Sequence, residues 1–201
     1  LFQRGRIRMT KNILIVGVGG QGTLLTGRII GNYAMMKGQD VKMSEVHGMA
    51  QRGGSVLMQV KYGDKVHSPL VEPGEADIIF AFEKLEALRY IHYLKEDGVI
   101  IANTQRIDPM PVVMGMAEYP EDVETQIKSM NDKACLIDAL SIAKEIGNVR
   151  VVNMIMIGAY AAYVGDTLEE WEHIVEVTVP KHTIQMNKEA LKRGYKAYLE
   201  K

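Results

Sequence analysis

The sequence predicts an α/β domain in which a mostly parallel sheet is flanked by helices. Three observations carry this. Short, near-continuous apolar runs such as Asn12–Val16 and Ala76–Phe82 suit strands buried on both faces. Between them lie stretches whose apolar residues recur at helical spacing. A glycine cluster, Gly17 to Gly22, joins the first run to the first helical stretch, as in a Rossmann-like βαβ unit.

The elements follow in order. Asn12–Val16 is the first strand. Thr23 to about Lys37 is a helix with Leu25, Ile29, Ile30 and Tyr33 on its apolar face and Gly38 as its C-terminal cap. Gly27 and Gly31 let that helix approach the sheet, at roughly 1 kcal/mol each in helix propensity. Val41–Val46 is the second strand, and a polar, glycine-punctuated loop runs from His47 to Gly54. Ser55–Tyr62 alternates as a strand, and Gly63-Asp64 predicts a turn into a further short strand, a hairpin insertion. Ala76–Phe82 is a strand followed by a helix to about Leu94. Asp97-Gly98 reads as a turn before a strand at Val99–Ala102. Ala134–Ile137 is a short strand leading into a helix to about Ile146, and Val149–Val152 fits a strand or the start of a helix. Met154–Val164 is a buried helix. The remainder is helical, with Leu191, Tyr195 and Tyr198 on one face of the last helix. Residues 1–8 read as an upstream extension or an expression scar, with Met9 a natural start. Residues 9–201 then form one domain.

Composition narrows the function. Apolar residues make up 47% and charged residues 24%, and Lys plus Arg (24) balances Asp plus Glu (25). A net charge of -1 supplies no basic field for nucleic acid. The longest apolar run, Val151–Val164, is shorter than the ~20 residues of a membrane span. The single cysteine, Cys135, excludes an internal disulfide and a cluster held by four thiolates of this chain. It fits a reducing, cytoplasmic setting. The 13 methionines fill the core or a subunit interface.

Two segments carry chemistry. Gly17-Val18-Gly19-Gly20-Gln21-Gly22 matches G-x-G-x-x-G in its required place, after a strand and before a helix. Its glycines permit positive φ and close backbone approach, so that amides at the helix N-terminus face an anion. The alternative is a tight turn that needs glycine for packing alone. Thr23-Leu24 after Gly22 disfavours a P-loop, which would place lysine there. For a dinucleotide, Glu45 is the nearest acid to serve the ribose, which keeps NAD open. The second segment, Ser44-Glu45-Val46-His47-Gly48-Met49-Ala50-Gln51-Arg52-Gly53-Gly54-Ser55, begins where the second strand ends, the side on which open α/β sheets collect ligands. Glu45 and His47 share one strand face. His47 is a candidate proton carrier, and Arg52 a fork donor for a carboxylate or phosphate. The candidate catalytic residues are therefore Glu45, His47 and Arg52. The candidate ligand-binding residues are Gly17, Gly19, Gly20, Gln21, Gly22, Ser44, Gln51, Arg52, Gly53 and Gly54, and no metal site is assigned. Asn153 is a helix N-cap or, less favoured, a buried amide touching ligand.

These two segments closely resemble the gamma-type domain of the 2-oxoacid:ferredoxin oxidoreductases, and the resemblance extends over Lys11–Lys201. The Ser-Glu-Val-His-Gly-Met-Ala-Gln-Arg-Gly-Gly run is its most specific part. It implies a subunit of an enzyme that oxidatively decarboxylates aryl 2-oxoacids, such as indolepyruvate, with coenzyme A and oxidised ferredoxin. Thiamine diphosphate and iron–sulfur clusters then reside in a larger partner subunit, through which ferredoxin is engaged. Coenzyme A is the one ligand the resemblance allows this chain. The amides of Gly17–Gly22 would accept its phosphate, and Arg52 would clamp that phosphate or the substrate carboxylate. His47 and Gln51 would otherwise face the partner. The chain alone would be inactive, and a homodimer of it is also expected as an option. Two other readings stay open: a free-standing NAD(P)-binding oxidoreductase, and a purely structural assembly subunit.

Overall fold

The computed structural model describes residues 10–47 and 54–201. The expectations for residues 1–8, Met9, Gln51, Arg52 and Gly53 lie outside these. The strands are β1 (Lys11–Val18), β2 (Asp40–His47), β3 (Ser55–Gly63), β4 (Ala76–Ala81), β5 (Leu94–Asn103) and β6 (Cys135–Ile137). The helices are α1 (Thr23–Met36), α2 (Lys84–Arg89), α3 (Met110–Val113), α4 (Val123–Met130), α5 (Ala139–Ile146), α6 (Val152–Val164), α7 (Leu168–Thr178) and α8 (Ile184–Leu199). One six-stranded sheet runs in the order β2-β3-β1-β4-β5-β6. The pairs β1/β4, β4/β5 and β5/β6 are parallel, while β3 lies antiparallel to both β1 and β2.

Strand alternation divides the core in two. Ile13, Ile15, Phe80 and Ile101 face the side covered by α1 and α5–α8. Leu14, Val16, Ile79 and Ile100 face the other side, with Ala87 of α2 and Val123 and Ile127 of α4. The larger side holds α6, whose residues from Val152 to Ala162 are all buried. A helix that is apolar all round has no solvent face to offer, so it must be covered on every side. Its outer cover is α8. Gly158 and Gly194 let the two backbones meet: a Cβ at Gly158 would overlap the Leu191 carbonyl oxygen, and one at Gly194 the Ile155 carbonyl oxygen. Aromatic contacts close the same core. Tyr33 of α1 stacks on Trp171 of α7 at 4.5 Å, and the Tyr62 and Tyr160 hydroxyls hydrogen-bond at 2.9 Å.

Three expectations change. The first strand, helix and second strand form a βαβ unit, but β3 is inserted between β1 and β2. The predicted hairpin at Gly63-Asp64 is absent among the described residues; the antiparallel neighbours of β3 are β1 and β2. The chain after Gly63 is instead held by side chains, Asp40 accepting the Val66 amide at 3.0 Å and Gln59 the Val71 amide at 2.5 Å. Asp97-Gly98 does not end a turn before a strand. It lies inside β5, where register jumps from Ala76↔Leu94 to Ile78↔Val99. Gly98 suits that bulge, since a Cβ would sit 2.7 Å from Leu94 Cδ1 and 3.0 Å from the Ala76 carbonyl oxygen. The helix expected to reach about Leu94 ends at Arg89, followed by a 3₁₀ turn at Ile91–Tyr93.

The start of β3 is tied to α2. Ser55 Oγ donates to Glu86 Oε2 at 2.5 Å and lies 3.3 Å from the Tyr90 hydroxyl. Burial pushes the Glu86 carboxyl above the usual glutamate range, against the lowering influence of the Ser55 hydrogen bond and of Arg89.

Two measurements test this packing. Gly194→Ala gains about 1 kcal/mol in helix propensity, yet thermal denaturation is expected to show a lower Tm, because the methyl meets backbone that cannot rotate away. A raised Tm would contradict the close crossing. Because Glu86 binds its proton more tightly folded than unfolded, its contribution to stability falls as pH rises from the ordinary glutamate value through the raised one. The Tm of the wild type relative to Glu86→Gln should fall across that window, and a flat or rising difference would refute the assignment.

Candidate functional site

The connections of β1 and β4 leave the sheet on opposite faces: α1 covers the larger core and α2 the smaller. Such a divergence opens a crevice at the carboxyl ends of the two strands. The glycine turn fills its floor. Gly19 N–H donates to the Gly54 carbonyl at 2.9 Å, and Gln21 N–H to the Val18 carbonyl at 3.2 Å. Gly20 and Gly22 have φ of 98° and 85°, the left-handed region that glycine enters without strain. Gly17 leaves room for Gln21, whose Oε1 would lie 2.9 Å from a Cβ there. The Gln21 side chain accepts from Val18 N–H at 2.7 Å and donates to the Phe82 carbonyl at 3.0 Å. Gln21 is therefore a structural clamp on the turn as well as a lining residue.

Gly22 is the N-cap of α1, no side chain caps that helix, and its first turn carries no acid. The helix therefore begins with amides unmatched by side chains, a setting that favours an anion. Glu45 approaches from β2, accepting from Thr23 Oγ1 at 3.3 Å. Glu45 and His47 share the α1 side of β2, as expected. Ser44 faces the opposite side, and its register partner Gln59 is committed to Val71. Of the second segment, then, the structure brings Glu45 and Gly54 to the turn and the start of α1, sets His47 on the same face of β2 as Glu45, and turns Ser44 away. Because β3 intervenes, Glu45 lies two strand spacings, about 10 Å, from β1. In a dinucleotide site the acid-bearing strand is the direct neighbour of β1.

A cavity of ≈ 490 Å³ opens beside the turn, lined by Gly20, Gln21, Gly22, Gln105, Leu140, Val149, Arg150, Val152 and Asn153. Asn153 is not the N-cap expected of it. That place belongs to Val151, and Asn148 instead caps the preceding 3₁₀ turn, accepting the Arg150 amide at 3.0 Å. Asn153 is 6% exposed, its Oδ1 accepts Met154 N–H at 2.8 Å, and its Nδ2 lies against Gly22. Sequence reasoning missed Gln105 and Arg150. Gln105 follows the end of β5, so the rule that ligands collect at carboxyl ends of strands was enough to find it. Arg150 carries no such signal, because only the packing of α6 beneath α1 brings it here. A second cavity of ≈ 500 Å³ opens at the other end of β1, where Lys37 bridges Asp166 at 3.4 Å and Glu170 at 2.8 Å. It lacks the glycine turn and lies at the amino end of the central strand.

Comparison with known proteins agrees with this architecture. The family model for pyruvate ferredoxin/flavodoxin oxidoreductase matches residues 12–197. Indolepyruvate oxidoreductase subunit IorB of Pyrococcus horikoshii is 41% identical over 194 residues, covering 94% of this chain and 96% of its own. The same subunit of Thermococcus kodakarensis is 40% identical with equal coverage. The keto/oxoacid ferredoxin oxidoreductase gamma subunit of Geobacter sulfurreducens shares the fold, with a TM-score of 0.69, 23% identity and coverage of 95% of this chain and 99% of that one. The 2-oxoglutarate:ferredoxin oxidoreductase of Magnetococcus marinus matches at TM-score 0.72 and 16% identity, over 98% of this chain but 32% of that one. With its sheet order, its glycine turn and a family match spanning nearly its whole length, this chain belongs to the pyruvate ferredoxin/flavodoxin oxidoreductase family.

Proposed function

We propose that this chain is the small, non-thiamine subunit of a 2-oxoacid:ferredoxin oxidoreductase acting on indolepyruvate or another aryl 2-oxoacid. The reaction joins the 2-oxoacid and coenzyme A, releases carbon dioxide, and passes two electrons to oxidised ferredoxin, leaving an aryl-acetyl-CoA. The observation that carries the reading is the 41% identity to an indolepyruvate oxidoreductase subunit across nearly the full length of both chains.

Thiamine diphosphate and iron–sulfur clusters are assigned to a larger partner subunit, since one cysteine cannot hold a four-thiolate cluster. Ferredoxin then meets the complex through that partner, in the cytoplasm. Exposed apolar side chains support a partnered surface. Met58, Met154 and Met156 are buried, but Met35, Met36 and Met43 are exposed around α1 and β2, as are Met110, Met114 and Met116 around α3. Methionine suits such surfaces because its flexible side chain adapts to a partner. Coenzyme A is the ligand proposed for this chain's own site. The glycine turn, the uncapped start of α1 and Arg52 are the groups suited to its phosphates, with Glu45 and His47 at the rim. Without the partner, the chain has no group to carry electrons and should be inactive.

The test is to co-express the chain with its partner subunit, purify through a tag on this chain alone, and assay indolepyruvate-dependent viologen reduction. A brown complex whose activity requires coenzyme A is expected. Arg52→Ala in that complex should raise the KM of coenzyme A or of the 2-oxoacid by about tenfold, the scale of one lost charge-assisted hydrogen bond. A colourless lone chain that binds NAD(P) would overturn the reading. Full turnover by both Arg52→Ala and Gly19→Ala would reduce the chain's role to assembly.

A further inference from the structure

The second cavity, ≈ 500 Å³ at the amino end of β1, lies away from the glycine turn and carries unbalanced charge. Its acceptor is Asp166, in the connection between α6 and α7. The backbone there is held in place, the Asp166 carbonyl accepting the Tyr195 hydroxyl at 3.2 Å. Asp166 Oδ1 meets the Lys37 ammonium at 3.4 Å, but that ammonium sits closer to Glu170, at 2.8 Å. Two carboxylates therefore share one lysine, and negative charge is left over. Asp166 Oδ2 is buried and has no hydrogen-bond partner among the described residues. Buried carboxylate oxygens are rarely left so, because nothing replaces their lost hydration. Burial, and then the Asp166 carboxylate, raise the pKa of the neighbouring Tyr33, which stays a neutral phenol on the cavity wall. The other charge is Lys11, at the start of β1, whose ion-pair partner Asp77 is 3.6 Å away. Both oxygens of Asp77 already have closer donors, Lys95 on Oδ1 at 2.5 Å and the Asn12 amide on Oδ2 at 2.8 Å. Lys11 is thus the most loosely held member of that cluster, on a flexible four-carbon stem. Ile78, Val164 and the Tyr62 ring give the cavity apolar walls, and the Tyr62 hydroxyl is spent on Tyr160.

We propose that this cavity binds an α-amino acid with an apolar side chain, its ammonium on Asp166 Oδ2 and its carboxylate on Lys11. The charges select the class. A simple amine answers Asp166 but is repelled by Lys11, and a simple carboxylate answers Lys11 but faces Asp166 and Glu170. A zwitterion satisfies both, through charge-assisted bonds at each end. Its side chain then lies against the apolar walls. The volume falls within the range of about 300–1,000 Å³ common to small-molecule sites. The inference stands apart from the role of the glycine turn. β1 is eight residues long, roughly 24 Å at the rise of a strand. A ligand at its amino end touches none of the groups proposed for coenzyme A.

The experiment is calorimetric titration of the full chain with L-phenylalanine and with the two halves of its charge pattern, phenethylamine and 3-phenylpropionate. Wild type, Asp166→Asn and Lys11→Gln are compared, and thermal denaturation without ligand shows that each is folded. Wild type is expected to bind L-phenylalanine, and each analogue at least tenfold more weakly. Each variant should weaken L-phenylalanine by about tenfold or more, the scale of one lost charge-assisted bond. The variants also carry distinct signatures. Asp166→Asn should abolish the preference for L-phenylalanine over 3-phenylpropionate, and Lys11→Gln the preference over phenethylamine. A merely structural role for either residue would not move these ratios. Should Asp166→Asn fail to fold, Lys11→Gln, at a partly exposed position, still decides. A wild type that does not bind L-phenylalanine overturns the inference, as does unchanged affinity in either folded variant. Equally tight binding of either analogue by wild type overturns the zwitterion. None of these outcomes bears on the proposed function, which is read from turnover of the complex.

Discussion

Where β1 and β4 part company, their backbones lose each other as partners, and the side-chain amide of Gln21 takes over. It holds the Val18 amide on one side and the Phe82 carbonyl on the other. Asn103 donates to the same Phe82 carbonyl at 3.2 Å and accepts the Ala139 amide at 3.2 Å, so the clamp extends to the ends of β5 and α5. A parallel sheet that opens a crevice must otherwise leave buried backbone groups without partners, each as costly as a lost hydrogen bond. The position of the glycine turn, and of every group around the cavity, follows from that replacement.

The two faces of the sheet are not equivalent, and the difference shapes the site. The smaller face is covered by short helices and by a network around Glu83, which accepts from the Tyr119 hydroxyl at 2.7 Å and from the Ile107 and Glu86 amides. The Glu83 carboxylate is thereby satisfied from within the fold. The larger face is built around α6, held by α8 at two glycines. This drives the start of α6 towards the start of α1, where Asn153 lies against Gly22.

Much of this was legible from local pattern. The run Asn-Ile-Leu-Ile-Val could only be a strand with two covered faces, and the glycine turn announced both its conformation and its place. Met154–Val164 has no polar face, which made burial unavoidable. The errors share one origin. The Gly63-Asp64 turn and the Asp97-Gly98 turn were inferred from residue preferences, yet the first opens a loop pinned by Asp40 and Gln59, and the second is a bulge that keeps β5 paired with β4. Both outcomes depend on partners far along the chain. Asn153 failed as an N-cap for the same reason, since the 3₁₀ turn beneath Asn148 moved the helix start by contact with its surroundings. The lining of the cavity was half visible: its glycines lie in a motif, while Arg150 and Gln105 lie in none.

The antiparallel strand set between β1 and β2 also dictates an order of assembly. β2 leaves the ribosome before β3 and, pairing with β3 alone among the described strands, joins the rest of the sheet only when β3 pairs with β1, a contact whose nearest partners are Val18 and Ser55. Closing that long connection precedes any reward from it, so the decisive step in folding is the arrival of β3 rather than the completion of the first βαβ unit. Until then the nascent chain carries α1 and an unattached amphipathic strand. Gly19 N–H finds its acceptor, the Gly54 carbonyl just before β3, only when that strand arrives, so the glycine turn is completed by the pairing of β3 and not by the helix that follows it.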